Sequence, residues 1–329
     1  MRIFVTGANG FVGSALIPIL KSHGHQIRAS VRRAGITPVP GIAPVPDTVV
    51  TGDVGPDTDW ADALRGIDVV VHLAARVHHM DDPADPSLVI EAYRRINVEG
   101  TRRLAESAAA AGVHRMVFVS TIKAITENSG DTPVTEATPP APETPYGISK
   151  LEGERALREV GERTGLETVI LRPPLVYGPF VGANFLRLLV LCRNAPLLPL
   201  GAIHNRRSLI FVENLAGAIA LCAEHPDAAG GCFLVHDGKV LSTPELIRTL
   251  AGLMGRPARL FSVPPPLLRG ALTLVRRGDA YERLAASLEL DDQHLRRTLG
   301  WQPFWSQEDG LRLTAEWFNA SADLTNGTS

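Results

Sequence analysis

Tyr146 and Lys150 stand four positions apart in the run Tyr-Gly-Ile-Ser-Lys. On a helix that spacing puts both side chains on one face. An unperturbed tyrosine hydroxyl titrates near ~10 and is a poor base at neutral pH. A lysine ammonium beside it stabilises the phenolate and lowers that value. Upstream, Ser120-Thr121 closes a β-branched and apolar run, so a hydroxyl projects from a strand end. Thr121 would orient a substrate oxygen that Tyr146 protonates or deprotonates. Lys150 can also hold a nicotinamide ribose. Tyrosine and lysine at this spacing also occur as a plain surface pair, so the catalytic reading depends on what surrounds them.

A glycine-rich turn supplies that context. Thr6-Gly7-Ala8-Asn9-Gly10-Phe11-Val12-Gly13 follows the apolar run Ile3-Phe4-Val5. A strand, such a turn and a helix direct backbone N–H groups and the positive end of the helix dipole at a pyrophosphate. Gly7 permits the tight turn, Gly10 lets phosphate approach, and Gly13 lets helix pack on strand. Asn9, Phe11 and Val12 complete the expected dinucleotide cradle. The second strand ends in Arg28-Ala29-Ser30-Val31-Arg32-Arg33, without the carboxylate that usually meets an NAD ribose. Arg32 and Arg33 suit a 2′-phosphate, which favours NADP(H) over NAD(H); the alternative is that they are solvated loop charges. Asp53 would accept from the adenine amino group, or else serve as a turn or cap residue.

The elements that must position these residues alternate strand with helix as far as Arg172, which implies right-handed βαβ units. The expected fold is α/β: a Rossmann-type doubly wound parallel sheet with a smaller mixed α/β C-terminal substrate domain. The first domain spans 1–175 and the second 176–318, with 209–232 packing back on the first; 319–329 reads as a disordered tail. A helix is expected over 97–111 with Asn97 as its N-cap, and another over 146–163. Ser242-Thr243-Pro244-Glu245 opens a further helix that ends at Gly255.

The chain has 329 residues, 45% of them hydrophobic, with 33 Lys and Arg against 35 Asp and Glu, so no basic surface points to nucleic acid. Cys192, Cys222 and Cys232 lack a paired spacing and read as reduced thiols. No signal peptide or membrane span is expected, and the reading is cytoplasmic. The apolar stretch 262–277 reads as a core helix rather than a membrane contact. His78, His79, Asp81 and Asp82 crowd together but sit in an expected loop, and hydride chemistry needs no metal, so no metal is expected.

The sequence resembles the extended short-chain dehydrogenase/reductases, specifically the nucleotide-sugar epimerase/dehydratase group. The matching residues are the glycine turn, Gly52-Asp53-Val54, Leu73-Ala74-Ala75, Asn97-Val98-x-Gly100-Thr101, Ser120-Thr121, Tyr146-x-x-x-Lys150 and Arg172-Pro173-Pro174. The resemblance runs from residue 1 to about 315 and implies that Thr121, Tyr146 and Lys150 are catalytic. It puts Asp53, Val54, Leu73, Ala74, Ala75, Asn97, Pro173 and Pro174 around the cofactor. Asn184 and Arg207 would bind the diphosphate of a UDP-sugar, and Arg76 would reach the sugar. Members of the group that dehydrate at C4–C6 carry Asp-Glu after the catalytic threonine, whereas Thr121 is followed by Ile122 and Lys123. Two readings follow: a UDP-4-keto-6-deoxy-N-acetylhexosamine 4-reductase using exchanging NADP(H), favoured by Arg32 and Arg33, and a UDP-hexose 4-epimerase with tightly bound NAD. A non-catalytic dinucleotide sensor would not need the full set of three residues, and an apolar substrate would not need Asn184 and Arg207. A homodimer is expected through helices 97–111 and 146–162, whose alanines would equally suit packing within the chain.

Overall fold

The structure is a computed structural model that describes residues 1–33, 45, 47–77, 85–194, 197–256, 258–274, 281 and 284–326. In chain order the first half runs β1 (Arg2–Thr6), α1 (Phe11–Ser22), β2 (Gln26–Val31), β3 (Asp47–Val50), α2 (Ala61–Leu64), β4 (Val69–His72), α3 (Pro86–Arg94), α4 (Gly100–Ala110), β5 (Arg115–Val119), α5 (Pro145–Thr164) and β6 (Glu167–Arg172). The second half adds β7 (Leu175–Tyr177), α6 (Ala183–Asn194), β8 (Leu197–Leu198), β9 (Arg207–Phe211), α7 (Val212–Glu224) and β10 (Cys232–Leu234). It ends with β11 (Val240–Leu241), α8 (Thr243–Leu253), β12 (Arg259–Leu260), α9 (Pro265–Leu274), α10 (Gln293–Leu299) and α11 (Gln307–Asn326).

Seven strands form one sheet in the order β10-β6-β5-β4-β1-β2-β3, and every pairing is parallel. Strand order reverses between β1 and β4, which puts a ligand crevice at the carboxyl ends of those strands. Both faces are covered, so the central strands are apolar through their middles, with polar residues such as Thr6 and His72 at their ends. Ile3, Val5, Val69 and Val71 pack toward α1 and α7, while Phe4, Val70, Met116 and Phe118 pack toward α2, α4 and α5. Ala105 and Ala108 of α4 lie in that second layer, so they serve packing within the chain.

The first-half sheet is completed from the second half. β10 adds to the β6 edge, and α7 lies along α1. The rest of the second half builds the sheet β11-β9-β7 and the pair β12-β8 around Tyr177, Phe185, Phe211 and Leu250. Ser242 caps α8 in a reciprocal box with Glu245, as its sequence requires. α11 continues through Asn326, so 319–326 is helical where a tail without structure was expected. Among the described residues no helix is long and apolar enough to cross a membrane.

Asn97 departs from its expected place. Helix begins at Pro86, where the Asp85 side chain accepts from Ser87 N, and α3 runs into a π-helical turn over Arg95–Glu99 before α4. Asn97 therefore caps nothing. It sits inside a helix whose extra residue per turn re-aims its side chain, a feature that concentrates at functional sites.

Candidate active site

β1 delivers the chain to Gly7, whose φ of +69° is open to glycine at no cost. A Cβ at Gly7 would lie 2.9 Å from Ala74 N, and one at Gly13 would lie 2.4 Å from Gly7 O. Both glycines are therefore dictated by the backbone of the turn. Gly10 differs: its Cβ would meet only Gly7 O at 3.1 Å and would otherwise fill open space. Gly10 is also the N-cap of α1, and no side chain caps that helix. The first-turn N–H groups, including those of Phe11, Val12 and Gly13, are left for an anion. Asn9 is half-buried beside them. The turn thus fits a dinucleotide pyrophosphate.

At the β1–β4 switch point, the Thr6 hydroxyl lies 2.7 Å from His72 Nδ1 and accepts from Ala74 N at 3.2 Å. His72 Nε2 lies 3.2 Å from the Thr101 hydroxyl. Burial, reinforced by the charge of Lys150, pushes His72 down to about 3, so it stays neutral in the fold. This relay holds Leu73, Ala74 and Ala75, all half-buried, at the mouth of the crevice.

Asn97 ties the next layer together. Its Oδ1 accepts from Arg76 N at 2.8 Å, and its Nδ2 donates to Arg76 O at 3.0 Å and to Ser149 Oγ at 2.9 Å. Ser149 in turn donates to Tyr146 O at 2.9 Å. The Arg76 guanidinium lies 5.4 Å from the centre of the Tyr93 ring, and that ring meets Tyr146 edge-on at 6.4 Å. Val54 approaches from the other side, since a Cβ on Gly100 would come within 2.7 Å of it.

The helix that carries Tyr146 and Lys150 starts at Pro145, and the Thr144 hydroxyl accepts from Gly147 N at 3.2 Å. Thr121, two residues past the end of β5 and still extended, caps the short turn Ile122–Ala124, accepting from Lys123 N at 3.3 Å. Gly147 lets that turn sit against α5, for a Cβ there would lie 2.3 Å from Lys123 O. The turn that Thr121 caps and the first turn of α5, which carries Tyr146, thereby lie together beyond the carboxyl end of β5. Ser120 is turned inward instead: it donates to Glu154, which also pairs with Arg172 through two hydrogen bonds. Burial works against the Arg172 charge, but Glu154 outweighs it and holds Arg172 raised.

Lys150 is 1% exposed. Its ammonium donates to Val119 O at 2.8 Å and lies 3.8 Å from the centre of the Phe118 ring. Burial pulls it down to about 7, with only Glu154 opposing. Tyr146 moves the other way, up to about 12, through desolvation and the neighbouring Tyr93. The expected lowering of Tyr146 by Lys150 is thus not what the structure shows. The lysine's hydrogen bond goes to the backbone, and burial of the phenol dominates.

Pro173 and Pro174 are buried next to this turn, with Pro173 O accepting from Ile122 N at 2.9 Å. Arg207 opens β9 and donates to Ala286 O at 3.2 Å, and burial lowers it. Asn184 is exposed in the first turn of α6, just beyond Phe180 and Ala183, both with positive φ at 69° and 50°. Strain of this kind clusters at ligand-binding segments.

At the far end of the crevice, Arg32 and Asp53 pair with each other at 3.2 Å, both well exposed. Arg33 is exposed beside them, and Ser30 is bonded to the Thr51 hydroxyl at 2.6 Å rather than offered to a ligand. His78, His79, Asp81 and Asp82 lie outside the described residues. Sequence reasoning missed the Thr6–His72–Thr101 relay and the Ser120–Glu154–Arg172 cluster. The one available signal was Glu154, four residues past Lys150 on the same face.

A glycine cradle at the switch point, with a hydroxyl, a tyrosine and a lysine at the adjacent strand end, defines a dinucleotide-dependent enzyme of the short-chain dehydrogenase/reductase type. The chain belongs to the NAD dependent epimerase/dehydratase family, which it matches over residues 3–235. It is 37% identical to a UDP-glucose 4-epimerase of Vibrio cholerae over 318 residues, covering 96% of this chain and 95% of that one. Its fold is that of the UDP-glucose 4-epimerase of Thermotoga maritima, solved with UDP-glucose (TM-score 0.75, 23% identity, 98% and 100% of the two chains). It is also similar to a short-chain dehydrogenase/reductase superfamily protein of Agrobacterium tumefaciens solved with NAD (TM-score 0.74, 25% identity, 100% and 99%).

Proposed function

We propose that the chain oxidises and reduces C4 of a UDP-linked hexose and acts as a 4-epimerase that retains NAD. The observation that carries this reading is the turn after β5. Thr121 caps that turn and α5, which carries Tyr146, packs on it at Gly147; Ile122 is buried, and Lys123 is already paired with Glu127 at 2.6 Å. The turn offers hydroxyls to one substrate oxygen and no acid–base pair for elimination, which speaks for redox at one carbon and against dehydration. The similarity to the Vibrio cholerae epimerase favours epimerase over reductase.

The bound nicotinamide would supply the hydride acceptor and donor. Thr121 would hold the substrate O4. Tyr146, pushed up to about 12, is protonated at neutral pH and is set to donate to a C4 carbonyl oxygen. To take a proton from a C4 hydroxyl it needs the Lys150 ammonium to leave Val119 O and face the phenol. Gly7, Asn9, Gly10, Phe11, Val12, Gly13, Leu73, Ala74, Ala75, Pro173 and Pro174 would line the cofactor, with Asp53 and Val54 at its adenine end. Asn97 acts on it through the backbone of Arg76. Asn184 and Arg207 would hold the diphosphate.

The second reading, a UDP-4-keto-6-deoxy-N-acetylhexosamine 4-reductase with NADP(H), is supported by Arg32 and Arg33. The Arg32–Asp53 pair is exposed and worth roughly 0–1 kcal/mol, so Arg32 can turn to a 2′-phosphate. One experiment separates the two. Purified protein is denatured and its released nucleotide identified, while intact protein is assayed for UDP-glucose/UDP-galactose interconversion. In parallel it is given the 4-keto sugar with NADH or NADPH. Bound NAD with interconversion, lost by about 10²–10⁴-fold in Tyr146→Phe, is expected. Stoichiometric NADPH oxidation without interconversion would establish the reductase instead.

A further inference from the structure

The end of the molecule opposite the crevice carries a cluster that the chemistry above does not use. α1 terminates at His23, and His25 precedes β2. Glu224, some two hundred residues later in the chain, ends α7. The packing of α7 along α1 brings the three side chains together. Glu224 Oε1 lies 2.8 Å from His23 Nδ1 and 2.9 Å from His25 Nε2. The three ligand-capable atoms all fall within 4.8 Å of one another.

We propose that His23, His25 and Glu224 form a binding site for a divalent transition-metal ion of the zinc type. Two imidazole nitrogens and one carboxylate oxygen are a zinc donor set, with water completing the tetrahedron. Metal–ligand bonds of about 2.0–2.2 Å put neighbouring donor atoms roughly 3.3 Å apart in a tetrahedron. The two spacings to Glu224 need to open by about half an ångström, and His23, 44% exposed at a helix end, has room to move. His25 and Glu224 are more enclosed, at 10% and 29%, so two of the three donors are held by the fold. The carbonyl ends of α1 and α7 both lie here, and their dipoles favour a cation. The Nε2 atom of His25 faces Glu224. Calcium and magnesium are not expected to bind, because hard cations prefer oxygen ligands. A bound ion would pin the far end of the helix that opens at the dinucleotide cradle to a helix from the second half. It would brace the frame and take no part in the reaction.

The test uses untagged, chelator-treated full-length protein with Zn²⁺ in calorimetry, and Co²⁺ as an absorbing substitute. Expected are one Zn²⁺ per chain, a Co²⁺ spectrum of tetrahedral intensity, and a melting temperature that climbs with Zn²⁺. His23→Ala and Glu224→Gln should each weaken binding more than about tenfold, the least that even an outer-sphere partner costs. Glu224→Gln keeps a hydrogen-bonding group of the same size, so a loss there reports ligation and not packing. Both imidazoles must be neutral to ligate, so binding should fade in acid. Absence of Zn²⁺ binding, or wild-type affinity in both variants, would overturn the proposal.

Discussion

Lys150 shows what the site costs the fold at the level of one side chain. An ammonium this deeply buried keeps one carbonyl partner and a ring face, and burial drags it from 10.5 to about 7. Between those values the unfolded chain holds more protons than the folded one, so this residue's contribution to stability rises with pH across that window. At pH 6 the folded state carries the full burden of a desolvated charge. Lys150→Met removes the charge and leaves Val119 O unpaired, which costs roughly 1–3 kcal/mol against several recovered. The variant is therefore expected to lose turnover and yet to be about 2 kcal/mol more stable than wild type at pH 6. Its advantage should shrink toward pH 9, as urea unfolding at the two pH values would show. A variant less stable at both values would mean that the carbonyl bond and packing outweigh desolvation.

Catalytic geometry is set one scale up, where α5 leans on the π turn and on the turn after β5. Gly153 is where α5 meets the π turn: a Cβ there would lie 2.4 Å from Asn97 O, a backbone atom that cannot swing aside. Gly153→Ala is expected to cost about 1–3 kcal/mol and to lower kcat, because α5 must shift and carry Tyr146 with it. Gly217 of α7 is the control, since its Cβ would meet nothing within 4 Å. Gly217→Ala should stabilise by about 0.5–1 kcal/mol in the same urea titration and leave kcat unchanged. These elements also mark what was legible beforehand. Tyr146 and Lys150 could be paired from sequence because helical pitch is a local rule, and the glycine turn because positive φ and close packing demand glycine. Asn97 was misplaced because one extra residue in a helical turn leaves no trace in apolar periodicity. The inward turn of Ser120, the outward duty of Thr121 and the convergence of Glu224 on His23 depend on contacts between distant segments, which spacing alone does not encode.

The two halves of the whole molecule are less separable than the change of composition after Arg172 implies. β6 has no neighbour on its outer side until β10 arrives, and β10 comes from residue 232 onward. α1 turns Leu16, Ile17 and Leu20 toward a core that also contains Ile210, Leu215, Ala216 and Ile219, all from beyond residue 175. Burial of large aliphatic side chains contributes about 1.5–3 kcal/mol each. Uncovering three of them removes several kcal/mol from a domain whose net stability is about 5–15 kcal/mol. It would also leave β6 as an open apolar edge, a template for aggregation. A fragment of residues 1–175 carries every residue of the glycine turn and the proposed catalytic residues Thr121, Tyr146 and Lys150. It is nevertheless expected to show no cooperative melting by circular dichroism and to associate on concentration. The dinucleotide cradle would then lose its affinity although none of its own residues had been removed. A sharp, reversible transition in that fragment would show that α7 and β10 are accessories to a frame already stable, and that the substrate half is attached to the cofactor half without holding it together.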